Sequence, residues 1–171
     1  DAETVTFNCS YSAYAGAQNV SLYITNSSND AFAENQSESV NGSSGSSSWD
    51  VVLSAGNYTW GCLSYDILNA SDWSSNRSVI LDTSAPVFST FANQSLAIGN
   101  ALSYTVEAND TGSGVDCYTV NDTTNFQMSC AGLLQNNTVL AIGSYDLTIT
   151  VNDSVGNSVS SEMFVNITAV P

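Results

Sequence analysis

The sequence predicts an all-β chain built as two tandem β-sandwiches. Three observations predict this fold class: apolar and polar residues alternate in segment after segment, no stretch keeps a 3.6-residue apolar period for three turns, and one turn-and-strand motif occurs twice. Hydrophobic residues make up 43% of the 171 residues, which is enough apolar material for two small cores.

Alternation of period two identifies the predicted strands. In the first half the apolar positions are Val5, Phe7, Cys9 and Tyr11, then Val20, Leu22 and Ile24, then Trp49, Val51 and Leu53, then Tyr58, Trp60 and Cys62. In the second half they are Leu102, Tyr104 and Val106, then Tyr145, Leu147, Ile149 and Val151, then Met163, Val165 and Ile167. Because successive side chains of a strand point to opposite faces, each segment is expected to bury one face and expose the other.

The two halves share a motif of the form Leu-x-x-Gly-x-Tyr. It ends at Tyr58 in the first half and at Tyr145 in the second, 87 residues later, and the same offset places Ile149 where Cys62 stands. The motif is typical of a tyrosine corner, in which the tyrosine hydroxyl bonds back to the backbone of the preceding turn. One structural template is therefore expected to occur twice.

A family resemblance rests on the longer sequences around these motifs. The first copy reads Gly-Asn-Tyr-Thr-Trp-Gly-Cys over residues 56–62 and Tyr-Asp at 65–66; the second reads Gly-Leu-Leu at 132–134, and Val-Asn-Asp-x-x-Gly-Asn at 151–157. They resemble the immunoglobulin-like and cadherin-like repeats of archaeal and bacterial cell-surface or extracellular filament proteins. The resemblance implies two immunoglobulin-like β-sandwiches with scaffold or adhesion roles and no catalytic residues.

The domain boundary is predicted before Pro86, because proline cannot donate to a strand ladder. The predicted domains are residues 1–84 and 85–171. The second has room for a strand A before Leu102, whereas the first reaches its strand B at Val5 and lacks a strand A of its own. Two explanations stay open: an upstream repeat or linker supplies the missing strand, or a neighbouring subunit donates it.

The four cysteines predict disulfides and an oxidising compartment. Their number is even, no CxxC pair occurs and the chain has no histidine, which together disfavour a zinc site and free thiols. The resemblance places Cys9 and Cys62 at the inter-sheet bridge of an immunoglobulin domain. Cys117 and Cys130 then form a local pair, expected across a hairpin around residues 121–123. No cysteine is predicted to be catalytic, because no histidine or lysine is present to lower its pKa.

Asparagine is concentrated in Asn-x-Ser/Thr sequons. These account for 14 of the 19 asparagines, whereas chance placement at the observed Ser and Thr frequency gives about 5. The predicted glycosylation sites are Asn8, Asn19, Asn26, Asn35, Asn41, Asn57, Asn69, Asn76, Asn93, Asn109, Asn121, Asn136, Asn152 and Asn166. The alternative is that richness in Asn, Ser and Thr merely imitates sequons.

The charge balance excludes several functional classes. Arg77 is the only basic residue and the net charge is −15, so nucleic acid is excluded as a partner. No catalytic motif is present and no enzyme activity is expected. No apolar run reaches about 18 residues, so no transmembrane segment is predicted.

The excess of acidic residues also predicts how stability depends on pH. Mutual repulsion of the carboxylates is expected to raise their pKa values, so that stability rises as pH falls.

Calcium is the one ion that the sequence suggests; no metal site and no cofactor are otherwise predicted. Hard oxygen ligands are concentrated in residues 110–116 and 152–157, without the spacing of an EF-hand, and Asx turns explain the same residues. Two interpretations of Trp73 stay open. It contacts a carbohydrate from the loop between strands F and G, or it packs against the end of the sandwich.

The predicted function is structural. The chain is expected to be a non-catalytic subunit or segment of an extracellular filament, pilus-like appendage or surface layer on the cell surface, assembled by donor-strand complementation. Its expected partners are copies of itself or neighbouring repeats of the same array, together with N-linked glycans. The alternative is an adhesin-type binding module that recognises a glycan or a surface protein.

Overall fold

The computed structural model describes residues 2–170, which form strands and the turns and loops between them. The chain divides into two compact units between Asp82 and Thr83, two residues before the boundary expected after Ser84. Each unit has two facing sheets and its own core, so the chain is a tandem of immunoglobulin-like β-sandwiches, as the sequence predicted. Within the described range, no helix has the length and apolar character needed to cross a bilayer.

In the first unit two strands face a larger sheet. Its described strands are β1 (Ala2–Ser12), β2 (Ala17–Ile24), β3 (Ala33–Ser39), β4 (Ser44–Ser54), β5 (Gly56–Asp66), β6 (Ser71–Trp73) and β7 (Arg77–Leu81). Strands β1 and β4 pair antiparallel and form one sheet. In the other sheet β2 lies between β3 and β5, and β6 and β7 follow one another along the far side of β5.

The first core lies where the inward positions of these two sheets meet. Its buried members are Phe7, Cys9, Val20, Leu22, Ile24, Leu53, Tyr58 and Cys62. The alternation expected from the sequence is visible in β1, where Phe7 and Cys9 are buried while Asn8 between them is exposed. Trp49 and Trp60 pack against this core, in keeping with their predicted inward positions.

The second unit has more strands and a larger core. Its described strands are β8 (Val87–Thr90), β9 (Gln94–Ala97), β10 (Ser103–Thr105), β11 (Glu107–Asn109), β12 (Val115–Val120), β13 (Phe126–Met128), β14 (Leu133–Asn136), β15 (Gly143–Asp153) and β16 (Ser158–Thr168). One sheet has the order β12-β15-β16-β9, with β9 parallel to β16. Opposite it lie β10-β14-β13 and the pair β11-β8. Strands β10 and β11 are two parts of one strand, interrupted at Val106.

The hairpin expected around residues 121–123 is wrong. Strand β13 pairs with β14 instead of β12, so this connection crosses from one sheet to the other. Two features explain the crossing. Asp122 accepts hydrogen bonds from the backbone N–H groups of Thr124 and Asn125, which turns the chain, and Phe126 is fully buried in the core directly afterwards.

Both predicted tyrosine corners form. The hydroxyl of Tyr58 donates to the carbonyl oxygen of Ser54 at 2.8 Å. The hydroxyl of Tyr145 accepts a hydrogen bond from the backbone N–H of Ala141 at 3.0 Å. Each tyrosine lies near the start of the long strand that follows the turn, and its hydroxyl is hydrogen-bonded to the backbone of the residue four positions earlier. The repeated motif therefore corresponds to a repeated structure.

Candidate functional site

The candidate site is the edge of β1 that faces away from β4, here termed the open edge. Strand β1 pairs with β4 along its whole length, from Ala2 opposite Ser54 to Ser12 opposite Ser44. No other strand within residues 2–170 pairs with β1. In an antiparallel pair, alternate residues direct their N–H and C=O groups away from the partner strand. About half of the β1 backbone groups therefore face the open edge.

The corresponding edge of the second unit is covered. Strand β8 pairs with β11, with Phe88 opposite Ala108 and Val87 opposite Asn109. In the repeated template Val106 aligns with Cys9, so β11 corresponds to residues 10–12 of β1. The second unit thus contains a strand at the position where the first unit has its open edge.

The last strand of each unit shows the same difference. In the second unit β9 runs parallel to β16 and pairs with residues 165–168. Val165 lies opposite Tyr145 just as Val79 lies opposite Tyr58, which makes β7 the counterpart of β16. Among the described residues, β7 pairs only with β5. Both edges that β8 and β9 cover in the second unit are therefore uncovered in the first.

The cores reflect this difference in strand coverage. Phe88, Phe91 and Leu96, from β8, β9 and their connection, pack against the second core. That core contains 13 buried residues, whereas the first contains 8. Apolar residues of the first unit that are only partly buried include Val5 and Val79. The first unit thus lacks both the backbone partners and the apolar side chains that an additional strand contributes.

Each unit has one disulfide, which links its two sheets. Cys9 on β1 is bonded to Cys62 on β5, and Cys117 on β12 is bonded to Cys130 in the turn between β13 and β14. These are the pairs that the sequence indicated. Cys9 is fully buried, so the bridge anchors the strand that bears the open edge to the opposite sheet.

The sequon asparagines lie at the surface. None of the 14 is buried, and 11 are exposed; the three that are half-buried are Asn19, Asn136 and Asn152. The amide nitrogen of Asn136 donates to the carbonyl oxygen of Thr138 at 2.7 Å, and its amide oxygen accepts from the backbone N–H of Leu102 at 2.7 Å. The amide nitrogens of Asn19, Asn26 and Asn152 also donate within the chain, to Ser37, Asp30 and Asp116. Attaching a glycan to any of these nitrogens would disturb its hydrogen bond.

The acidic loops of the second unit contain Asx turns. The carboxylate of Asp153 accepts hydrogen bonds from the backbone N–H groups of residues 155–157. The carboxylate of Asp110 accepts from the backbone N–H groups of Gly112 and Gly114. These hydrogen bonds close the two turns, so turn formation explains the presence of both aspartates. Calcium binding by either loop stays a prediction.

The expectation of raised carboxylate pKa values is wrong for Asp122 and Asp153. The side-chain amide and backbone N–H of Asn125, with the N–H of Thr124, hold the pKa of Asp122 below its usual value. At Asp153 burial by itself raises the pKa, but hydrogen bonds from Asn157 and the neighbouring backbone outweigh it and the pKa is lowered. Donors in direct contact outweigh repulsion from charges that are distant and screened.

Trp73 lies on β6 and not in a loop, and it is 48% exposed. Its ring meets the ring of Tyr23 edge-on with centroids 4.7 Å apart, and Phe32 lies beside both. No sequence pattern identified Tyr23 or Phe32 as candidate site residues. Tyr23 lies at an outward position of β2, and Phe32 precedes β3, so neither shows in the apolar alternation.

No protein-family model matches the chain, and no curated protein matches it. Among solved structures, the chain is similar to Drosophila N-cadherin EC1–4 (TM-score 0.44, 15% identity, 88% of this chain and 41% of the other). It is also similar to human CDH23 EC21–23 (0.43, 19%, 87% and 58%) and to Clostridium thermocellum CbhA fibronectin(III)-like modules (0.45, 11%, 96% and 86%). The chain spans about half the length of the two cadherin structures.

Proposed function

We propose that this chain is a non-catalytic structural subunit or segment of an extracellular filament, pilus-like appendage or surface layer, in which a peptide from a neighbouring copy pairs with the open edge. The observation that carries the proposal is that, in the described part of the chain, β1 has one strand partner, whereas its counterpart in the second unit, β10 with β11, has two. An unpaired strand edge is a template for the addition of another strand, and donated strands join subunits in this way.

The second unit indicates the geometry of the donated strand. By analogy with β8 and β9, the donor runs antiparallel beside residues 10–12 and then parallel beside residues 79–81. Its apolar side chains enter the first core as Phe88, Phe91 and Leu96 enter the second. A donor of about 11 residues, the length of 87–97, is sufficient.

Strand β4, like β1, has one strand partner among the described residues, and β3 also ends its sheet. The edge of β3 is less suited to strand addition than that of β1. Strand β3 is exposed at all seven residues and carries Glu34 and Glu38. Charged side chains on an edge strand discourage pairing with another chain. Strand β1 instead has one charged residue, Glu3; it buries Phe7 and Cys9 and contains the partly buried Val5 and Tyr11. The difference favours β1 as the edge at which copies join.

Glycosylation and an extracellular location belong to the same proposal. Disulfides persist in oxidising compartments, and both cysteine pairs of this chain are bridged. The exposed sequons are suitable attachment points for N-linked glycans, which would cover both units. Asn19, Asn26, Asn136 and Asn152 are expected to be the least occupied sites, because the amide nitrogen of each already donates an internal hydrogen bond. Peptide mapping by mass spectrometry of native material measures the occupancy of each site.

Amide exchange of the purified chain tests the open edge. A synthetic peptide of residues 86–98 supplies a strand whose fit to the second unit is known, and it is added in excess. We expect exchange to slow at residues 10–12 and 79–81 and the first unit to melt at a higher temperature. A control peptide carrying Phe88→Ser, Phe91→Ser and Leu96→Ser is expected to have no effect, because it cannot fill the core.

Two outcomes would contradict the proposal. One is a monodisperse monomer whose β1 amides exchange as slowly as those of β16 without added peptide. The other is the presence of single particles, with no fibres or ordered layers, in electron micrographs of native material. Cross-linking with mass spectrometry identifies the donor, and it distinguishes a neighbouring copy from an upstream segment of the same polypeptide.

A second candidate function is an adhesin-type module that recognises a glycan or a surface protein. The exposed ring of Trp73 beside Tyr23 and Phe32 is the observation that favours it, because aromatic rings are frequent anchors in binding sites. Binding to a glycan array that is lost with Trp73→Ala would support this function. Ordered polymers formed by the purified chain would support the structural one.

A further inference from the structure

Three aromatic side chains form a cluster on the outer face of the larger sheet of the first unit. Tyr23, Phe32 and Trp73 are here termed the aromatic patch. Tyr23 follows Leu22 and precedes Ile24, both of which are in the core, so its side chain lies on the opposite face. Centroid separations are 4.7 Å for Tyr23 and Trp73, 5.8 Å for Tyr23 and Phe32, and 6.0 Å for Phe32 and Trp73.

The aromatic patch is accessible to a ligand. Trp73 is 48% exposed and Phe32 is 39% exposed. Clusters of exposed apolar surface on a soluble protein mark places where something binds. The single cation of the chain is directed elsewhere, because the Arg77 guanidinium lies over the ring of Trp60, 5.1 Å from its centroid. Burial and the carboxylate of Glu34 raise the pKa of the Tyr23 hydroxyl above its usual value.

A sequon borders the aromatic patch. Gly61 lies opposite Tyr23 in the sheet, and the absence of a side chain there leaves room above β5. A β-carbon at Gly61 would lie 2.9 Å from the amide oxygen of Asn76 and 3.7 Å from Cζ of Phe32. The side chains of Asn76 and Phe32 therefore converge over the same glycine. Asn76 is exposed and begins the sequon Asn76-Arg77-Ser78.

We propose that the aromatic patch is the docking surface for the first sugars of a glycan attached to Asn76. A pyranose ring has a face of C–H groups that packs against aromatic rings while its hydroxyl groups stay in water, which removes apolar ring surface from solvent. The covalent link gives the sugar a high effective concentration at the patch, so a weak contact suffices. The inference rests on the glycosylation part of the proposed function.

The surroundings favour a sugar over a second copy of the chain. Two copies docked patch to patch would each bring Glu34 to the contact, so their approach is opposed by repulsion between these carboxylates. A neutral sugar experiences no such repulsion. The adjacent sequon supplies the occupant without requiring a separate ligand, and it accounts for exposed rings on a face that the core does not need.

The test compares two sequons in the chain isolated from a glycosylating host. Ser78→Ala removes the glycan of Asn76 but keeps the asparagine, and Ser43→Ala does the same at Asn41, which is the matched control. We expect Ser78→Ala to lower the unfolding midpoint of the first unit by about 4 °C and Ser43→Ala to leave it nearly unchanged. In a Trp73→Ala background the effect of Ser78→Ala should disappear, because the two changes remove the same contact.

Each alternative outcome has a distinct meaning. If mass spectrometry finds Asn76 glycosylated but Ser78→Ala and Ser43→Ala shift the midpoint equally, the docking inference is wrong and glycosylation stands. If Asn76 is unmodified, both the inference and that site assignment are wrong, while polymer formation is judged separately by microscopy. If free N,N′-diacetylchitobiose quenches Trp73 fluorescence and Ser78→Ala has no effect, the patch binds sugar from another molecule and the inference is overturned.

Discussion

The two units are built on one template, yet they differ in whether the edges of two equivalent strands are paired. In the second unit β8 pairs with β11 and β9 pairs with β16, and the core contains 13 buried residues. Within residues 2–170, no strand covers the corresponding edges of β1 and β7 in the first unit, and its core contains 8 buried residues. A repeated sequence motif thus specifies the centre of the sandwich, and a separate segment of about a dozen residues decides whether its edges are covered.

The difference also shows what stabilises each unit. With fewer buried apolar residues, the first unit gains less from the hydrophobic effect and depends more on its long-range disulfide. Cys9 and Cys62 are separated by 53 residues, and Cys117 and Cys130 by 13. A bridge that closes a longer loop removes more entropy from the unfolded chain. The comparison between the units can therefore be tested by perturbing matched positions.

The largest effect is expected from removing the disulfides. Loop-closure entropy gives a loss of about 4 kcal/mol for Cys9→Ala with Cys62→Ala, and about 3 kcal/mol for Cys117→Ala with Cys130→Ala. Denaturant unfolding monitored separately for each unit measures both. Since the first unit has the smaller core, we expect its double variant to be unfolded at 37 °C. Equal losses in the two units would contradict the idea that the first depends more on its bridge.

The glycines of the repeated motif give a matched pair. Gly56 and Gly143 both adopt positive φ, 155° and 152°, so an alanine is strained at either position. A β-carbon at Gly56 would also lie 2.8 Å from Cβ of Ser27, whereas at Gly143 it would meet nothing within 4 Å. We expect Gly56→Ala to cost about 2 kcal/mol and Gly143→Ala about 1 kcal/mol. Thermal unfolding of the two variants measures the difference, and a larger loss for Gly143→Ala would contradict the structure.

The tyrosine corners should differ by a smaller amount. Tyr58 is 4% exposed and donates to a carbonyl oxygen at 2.8 Å, while Tyr145 is half-buried. Removing the hydroxyl leaves an unpaired backbone group, and the cost is greater where water cannot replace the lost partner. We expect Tyr58→Phe to cost about 1.5 kcal/mol and Tyr145→Phe about 0.5 kcal/mol, measured by urea unfolding. The reverse order would show that the two corners are not equivalent structures.

The smallest effect concerns pH and is confined to the second unit. The pKa of Asp122 is lower in the folded protein than in the unfolded chain, so its ionised form stabilises the fold above the unfolded pKa near 4. That contribution is lost as pH falls through the folded pKa. We expect the second unit to melt at a lower temperature in acid, and Asp122→Asn to reduce this dependence. The melting temperatures of the wild type and of Asp122→Asn are measured at each pH. A wild-type melting temperature that rises on acidification would contradict the predicted direction.

Much of the architecture was determined by the sequence alone. Period-two alternation identified Phe7 and Cys9 as inward residues and Asn8 as outward, because strand geometry directs successive side chains to opposite faces. The duplicated motif identified both tyrosine corners, since its hydrogen bond spans only four residues. Local rules therefore sufficed for the strands, their faces and the turn that is repeated.

Other features were decided by tertiary structure. The sequence could not show that the chain crosses between sheets after residue 122, because the fate of Phe126 depends on a core formed by distant residues. It pointed to raised carboxylate pKa values, whereas the donors around Asp122 and Asp153 lower them. The aromatic patch and the convergence of Phe32 and Asn76 over Gly61 join residues far apart in the chain. Alternation within one strand carries no information about such neighbours.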